Sequence, residues 1–422
     1  MGTLLKLSPP SPGIVTEVSD YQAQMRYTDG DLIRFRNTFP EKIGGWEERD
    51  ASIGATMNGT IRSILSGITN LGQRWAIYGT NTHVYLESGQ AMYDVTPYRT
   101  AANSLTNPFT TGSAGTNTVT MTWASHGILA TTPPSRVIIA SIGSGTVDGV
   151  TITTGEYFAT VVNANSFTIT PVSGTGASIS GTASSGSTSG GGTVSIRALT
   201  NNGPDDSTLG FGFGAGTYGS STWGTARSTA IAKDTRVWSF DLWGEDIVGS
   251  TGDGTEEIYY WDVTTLTGRG VTLSQYVTSL GLPTTGIPTQ VGRVLVSTPD
   301  RHLIAFGCEP EGSSDYDPLT VRFASQETLN IWNADELNSA GDQRLGTGST
   351  IAAVKKSKGQ MLIWTDEDLY GMQFIGPPFT FSFQQVGTNC GLIGKNAAVE
   401  VDGSAYWLSL IHISEPTRRY AI

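Results

Sequence analysis

A short run of apolar and aromatic residues, a polar turn, and a second run closing on Tyr or Trp recur along this chain. This recurrence limits the fold more than any other feature. Ile77-Tyr78 and Val84-Tyr85 flank residues 79–83, and Ile363-Trp364 and Leu369-Tyr370 flank residues 365–368. Val399-Glu400-Val401 and Ala405-Tyr406-Trp407 flank Asp402-Gly403-Ser404, and a looser copy runs from residues 238–248 through a turn at 249–254 to Ile258-Tyr259-Tyr260-Trp261. A hairpin of this size buries too little apolar surface to stand alone. Such units become stable by stacking, as blades do around a shared centre. The expected fold is therefore all-β, with a β-propeller-like main domain whose blade number so loose a repeat leaves open. Helical periodicity is scarce, and residues 326–338 are the best candidate for a short turn or two.

Between about Ser104 and Thr200 the composition changes. Arg136, Asp148, Glu156 and Arg197 are nearly the only charges among many Thr, Ser and Gly residues. Residues 117–123, 136–140, 157–162 and 166–170 alternate as strands do, Asn163-Ala164-Asn165 reads as a turn, and 184–192 reads as a flexible Gly/Ser loop before a closing strand at 193–198. This pattern predicts a small inserted β-sandwich of immunoglobulin-like type. The expected organisation is residues 1–103 as the N-terminal part of the propeller-like domain, 104–200 as the insertion, and 201–407 as the propeller's continuation. Residues 408–422 match one translated frame of a transposase-end sequencing adapter followed by index-derived codons. They are set aside from fold reasoning, and the natural chain is expected to break off at Trp407 with a C-terminal portion missing.

With 422 residues the chain is long enough for two domains, and 53 glycines with only 15% charged residues suit many short strands and tight turns. A formal charge of −12 argues against a protein that wraps nucleic acid through phosphate contacts. It suits a conduit that repels DNA sliding through it. The basic cluster Lys355-Lys356-Ser357-Lys358-Gly359 reads as a solvated hairpin turn. Residues 1–10 lack a signal-peptide pattern, Lys6 breaks the myristoylation pattern, and no window approaches 18 consecutive apolar residues.

Candidate chemistry is sparse. Cys308 and Cys390 lie far apart with no Cys-x-x-Cys spacing, which disfavours a disulfide framework or a zinc site. His83, His126 and His302 stand in strand or turn contexts without a Gly-x-Ser-x-Gly elbow. Glu256-Glu257 and Asp366-Glu367-Asp368 supply the paired carboxyls a glycosidase needs, but both sit beside turns and read first as solvated turn charges. The segment at 249–255 resembles a sialidase-type aspartate turn only superficially. The Gly/aromatic alternation at 210–219 lacks the Gly-Lys-Ser/Thr of a phosphate loop. No catalytic, cofactor-binding or metal-ligating residue is assigned, and the chain is expected to be non-enzymatic and to need no cofactor.

Several stretches resemble the phage stabilisation, or tail nozzle, proteins of short-tailed bacteriophages. They are Pro12-Gly13-Ile14, the run Tyr27-Thr28-Asp29-Gly30-Asp31-Leu32-Ile33-Arg34-Phe35-Arg36, and Pro40-Glu41-Lys42-Ile43-Gly44-Gly45-Trp46. Further on are Val321-Arg322-Phe323-Ala324-Ser325 with Trp332, Ile363-Trp364-Thr365-Asp366 with Leu369-Tyr370, and Gly391-Leu392-Ile393-Gly394. The resemblance implies a propeller-like virion subunit, made in the host cytoplasm, that forms a homo-oligomeric, six-fold ring at the distal end of the tail. Its implied partners are a tail adaptor ring and a tail fibre or needle, with DNA passing through the channel without sequence-specific binding. The competing expectation is a receptor-binding or polysaccharide-depolymerising tail protein that meets the host outer surface.

Overall fold

The middle strands of a stacked sheet are covered on both faces, so they carry unbroken apolar runs instead of an alternation. Leu303–Cys308 and Gln360–Thr365 are such strands, the first buried throughout and the second from Met361 onward. A computed structural model of the chain describes residues 11–15, 19, 21–23, 26–43, 57–89, 91–206, 235–265, 268–298, 300–377 and 379–409. They form two compact units, residues 1–55 and 56–422. The stretch expected to open the propeller, residues 1–103, thus holds the whole first unit and the first blade of the second.

In the first unit Ser11–Ile14 pairs in parallel with Arg26–Tyr27, and Ile33–Arg36 forms an antiparallel hairpin with Phe39–Lys42. Asn37 and Thr38 turn the hairpin with φ of 50° and 70°, and Arg34 meets Glu41 across it at 3.1 Å. The Gly44-Gly45-Trp46 segment lies outside the described residues.

In the second unit four antiparallel sheets of four strands follow one another. They comprise Ser63–Ile68 to Ala91–Asp94 (blade 1), Ser239–Trp243 to Val271–Thr272 (blade 2), Val291–Val296 to Gly341–Arg344 (blade 3) and Ile351–Ser357 to Phe381–Gly387 (blade 4). The hairpin Ala398–Val401 with Ser404–Trp407 comes next. Each sheet shares an apolar layer with the next. Trp75, Ile77 and Leu86 meet Trp238, Ile247 and Trp261, and Val248 and Tyr260 meet Val291, Leu303 and Trp332. Phe306 and Val321 meet Ile363 and Met372, and Trp364 and Leu362 meet Leu392 and Ala398. A Cβ on Gly79 would stand 2.7 Å from the Trp238 ring, so only glycine admits that ring, whose Nε1 donates to Thr80 O at 2.9 Å.

The first strands of successive blades lie beside one another and are tied directly. Ser63 Oγ donates to Trp238 O at 2.6 Å, and Ser239 Oγ donates to Val294 O at 2.9 Å. Asp241 of blade 2 accepts from Val296 N of blade 3 at 2.6 Å and pairs with Lys356 of blade 4 at 2.6 Å. The solvated-turn reading of residues 355–359 is corrected accordingly. Only Lys358-Gly359 forms the turn, while Lys355 and Lys356 lie within Ile351–Ser357, because that strand runs against the neighbouring blades.

Between blades 1 and 2 stands the inserted β-domain, a two-layer sandwich. Its larger sheet is antiparallel, in the order Ser189–Gly190, Phe109–Thr111, Val119–Thr122, Ser166–Pro171, Gly155–Asn163, Ser135–Ile142, Thr193–Leu199, Tyr98–Thr106. A three-stranded sheet contributes Val147, Val150 and Ile152 to the same core as Phe109, Met121, Tyr157, Phe167 and Ile196. The expected loop at 184–192 contains the edge strand Ser189–Gly190. Asp148 holds the approach to it, accepting from Ser185 N at 3.0 Å and Gly186 N at 2.7 Å. The first strand of the insertion begins at Tyr98, before the compositional shift.

Two of the four charges noted in the insertion fasten it to the propeller. Arg136 is buried between Glu156 and Asp94 of blade 1, the latter at 3.3 Å. Arg269 of blade 2 reaches the same carboxylates at 3.1 and 3.2 Å. Burial alone raises the Asp94 carboxyl, but Arg269 and Arg136 together hold it well below the usual carboxylate range. The other two charges serve within the insertion, Asp148 at its loop and Arg197 over the Tyr98 ring at 4.9 Å.

The short turn or two expected at residues 326–338 forms as isolated turns with no helix. Glu327 takes φ of 56°, and Asn338 and Asp335 side chains accept from Ala340 N and Leu337 N, so turns replace the helical ladder. Among the described residues the one α-helix is Leu273–Ser279, N-capped by Thr272, and no helix is long and apolar enough to cross a membrane. Leu408 and Ser409 pair through the backbone with residues 392–393 and 397, a contact largely indifferent to side chain. The rest of 408–422 lies outside the described residues.

Replacing Asp241 with Ala leaves the buried Val296 N–H without its acceptor. Urea unfolding should show a loss of about 1–3 kcal/mol, larger than that of Lys356→Met, which leaves the N–H bond intact.

Candidate functional site

A polar cavity of about 250 Å³ opens where the insertion meets blade 2. The insertion supplies Arg99 and Thr100 from its first strand and Ser125, His126 and Gly127 from a turn, and blade 2 supplies Thr255, Glu256, Glu257 and Tyr259. The clamp around Arg136 fixes these two walls relative to each other.

Glu256 is buried, which overturns its reading as a solvated turn charge. Its backbone segment turns inward so that the carboxylate accepts from Asn201 N at 3.0 Å and from the Tyr259 hydroxyl, with Arg99 Nε at 3.6 Å. Burial and then the adjacent Glu256 push the Tyr259 hydroxyl well above its ordinary value, so it stays a donor. Glu257 is half-buried and accepts from Ser274 Oγ at 2.7 Å; burial raises its carboxyl above the usual range, and Glu256 raises it further. One carboxylate is thus bound to an arginine while its neighbour is pushed toward the protonated form.

The other candidates lie elsewhere. Asp366 accepts from Ser349 N at 2.7 Å and Thr350 N at 3.3 Å, and Asp368 from Gln385 Nε2 at 2.7 Å and Asn389 N at 2.9 Å. They knit the turns of blade 4, and Glu367 beside them is exposed. Asp253, in the aspartate-turn look-alike, binds Arg236 at 2.8 Å together with Thr251 and Thr255.

His126 borders the cavity but is held by the insertion, accepting from Ile128 N at 2.9 Å through Nδ1, so Nε2 donates to Asn163 O at 2.9 Å. His83 stacks on Tyr85 at 5.3 Å, and burial, then Arg136, lowers its pKa to about 3. His302 is buried with Nδ1 2.9 Å from Ala324 O. Both cysteines are free, and burial raises both thiols. Among the described residues no cluster of His, Cys, Asp and Glu is placed to hold a metal ion. The Gly/aromatic segment at 210–219 lies outside the described residues. Sequence reasoning missed Arg99 and Asn201, which flank the insertion. Their placement at its two ends was the available signal.

No family model and no curated protein sequence matches the chain. Among solved structures it is similar to the phage phi92 endosialidase, with 14% identity, a TM-score of 0.25, and coverage of 81% of this chain. The chain spans about half (51%) of that protein. It is also similar to the GH93 α-L-arabinofuranosidase of Fusarium graminearum in complex with arabinobiose, with 10% identity, a TM-score of 0.24, and coverage of 79% of this chain and 84% of that one.

A carboxyl whose folded pKa is raised binds its proton more tightly in the folded state. Its contribution is therefore lost as pH rises through the raised value. Urea unfolding between about pH 4 and pH 7 should show Glu257→Gln losing less stability with rising pH than the parent protein does.

Proposed function

We propose that this chain is a structural subunit of a bacteriophage tail, in the nozzle or stabilisation position, where its copies form a six-fold ring around the DNA exit channel. The observation that carries this reading is the mounting of the insertion. A cluster of buried Arg136 and Glu156 with half-buried Asp94 and Arg269 locks an accessory β-domain onto two successive blades, which suits a structural part. The N-terminal stretches that resemble stabilisation proteins support the same reading, and the acidic charge suits a conduit for DNA. On this account the protein is non-enzymatic, meets a tail adaptor and a fibre or needle, and resides in the virion.

A second reading, contact with a host-surface polysaccharide, is favoured by the cavity that joins Arg99, Glu256 and Glu257. A ring subunit can combine both roles, since the mechanical and recognition surfaces need not overlap.

Electron microscopy of the purified protein under assembly conditions tests the structural reading. Closed six-fold rings are expected, and a strictly monomeric particle would count decisively against it.

A further inference from the structure

A second cavity, of about 300 Å³, lies in blade 3, and Thr289 lines both it and the first. Its walls include Glu309, Arg322, Asn333 and the hydroxyls of Ser313 and Ser314. Arg322 is only 4% exposed. Its Nη2 donates to Gly286 O at 2.8 Å and Trp332 O at 3.1 Å, but its ε N–H has no partner among the described residues. These two bonds fix the guanidinium, so Arg322 stands at the cavity wall as a rigid cation.

The surrounding charges decide what kind of acceptor fits. Glu309 is buried, and both its oxygens accept from Thr289 N at 3.1 Å. Asp342 stands opposite Arg322 in the adjoining strand, and Glu256 and Glu257 lie beyond Thr289. Each cavity sets its one arginine against a buried glutamate, Arg99 against Glu256 and Arg322 against Glu309, so neither presents unopposed positive charge, which disfavours a phosphate or another anion. The mixed donors and acceptors, with Arg99 and Arg322 on strands and Ser125, Ser313 and Ser314 on turns and loops, suit the hydroxyls of a sugar, each of which both donates and accepts.

We propose that the two cavities, joined at Thr289, form one trough for a neutral linear oligosaccharide, with at least one sugar residue seated in each. The proposal rests on the polysaccharide reading above and adds the extent of the site and the charge class of its ligand. Arg322 and Glu309 are specificity groups of the second subsite. Two subsites filled by one linked ligand bind more tightly than either sugar alone, because the second contact becomes intramolecular.

The full chain should be titrated with a panel of neutral bacterial surface oligosaccharides of one to six residues, with uronic acid oligomers of equal length as the acidic arm. Two plugging variants accompany it: Thr100→Trp, on a strand at the first cavity, and Ser314→Trp, on an exposed loop at the second. A neutral disaccharide or longer chain is expected to bind at least about ten-fold more tightly than its monosaccharides, and either plug should abolish that gain. Binding lost with Thr100→Trp but unchanged with Ser314→Trp would overturn the trough and leave the polysaccharide reading standing. Preference for the acidic oligomers would overturn the neutral class. Absence of binding across the whole panel would overturn the trough and the polysaccharide reading together.

Discussion

Two arginines and two carboxylates, of which Arg136 and Glu156 are buried and Asp94 and Arg269 half-buried, determine how this molecule is put together. Arg136 and Glu156 come from the insertion, Asp94 from the last strand of blade 1, and Arg269 from the loop before the last strand of blade 2. Buried charges are costly unless each meets its opposite, so the four groups stabilise only one mutual placement. That placement carries everything near it. The Arg99 strand and the turn at His126 belong to the insertion, the Glu256-Glu257 segment belongs to blade 2, and the first cavity is the gap left between them.

Around this junction the blades hold one another by a different means. A four-stranded sheet with two apolar faces needs a neighbour on each, and the shared layers from Trp75 through Trp364 supply them in series. Polar ties along the first strands add direction to this packing. Asp241 is the clearest, since one carboxylate accepts from the backbone of the next blade and pairs with a lysine of the blade after that. Apolar layers set the spacing of the blades, and these ties set their register.

Much of the fold is legible in the sequence, for physical reasons. The paired runs ending in Tyr or Trp are readable as hairpins where Trp261, Trp364 and Tyr370 sit in the layers that successive sheets share, and the insertion's strands are readable because one face is wet and alternation survives. The helix Leu273–Ser279 was not legible, since seven residues bury only Leu273 and Val277 and leave no sustained period. The candidate site was half legible. Glu256-Glu257 stood out as a pair, but their burial depends on Asn201 and Arg99, which are distant in sequence and are brought in by the insertion's two ends. Lys356 read as a turn charge because nothing local reveals that Asp241 lies across the neighbouring blade.

The charge cluster around Arg136 makes the insertion and the propeller one cooperative body. Differential scanning calorimetry of the full chain tests it most directly, because two independently folded parts melt separately. The parent protein should melt residues 98–199 and the blades in a single transition, and Arg136→Met with Arg269→Met, which strands Asp94 and Glu156, should separate that transition into two. Two separate transitions in the parent protein, or one transition unchanged in the double variant, would contradict the account.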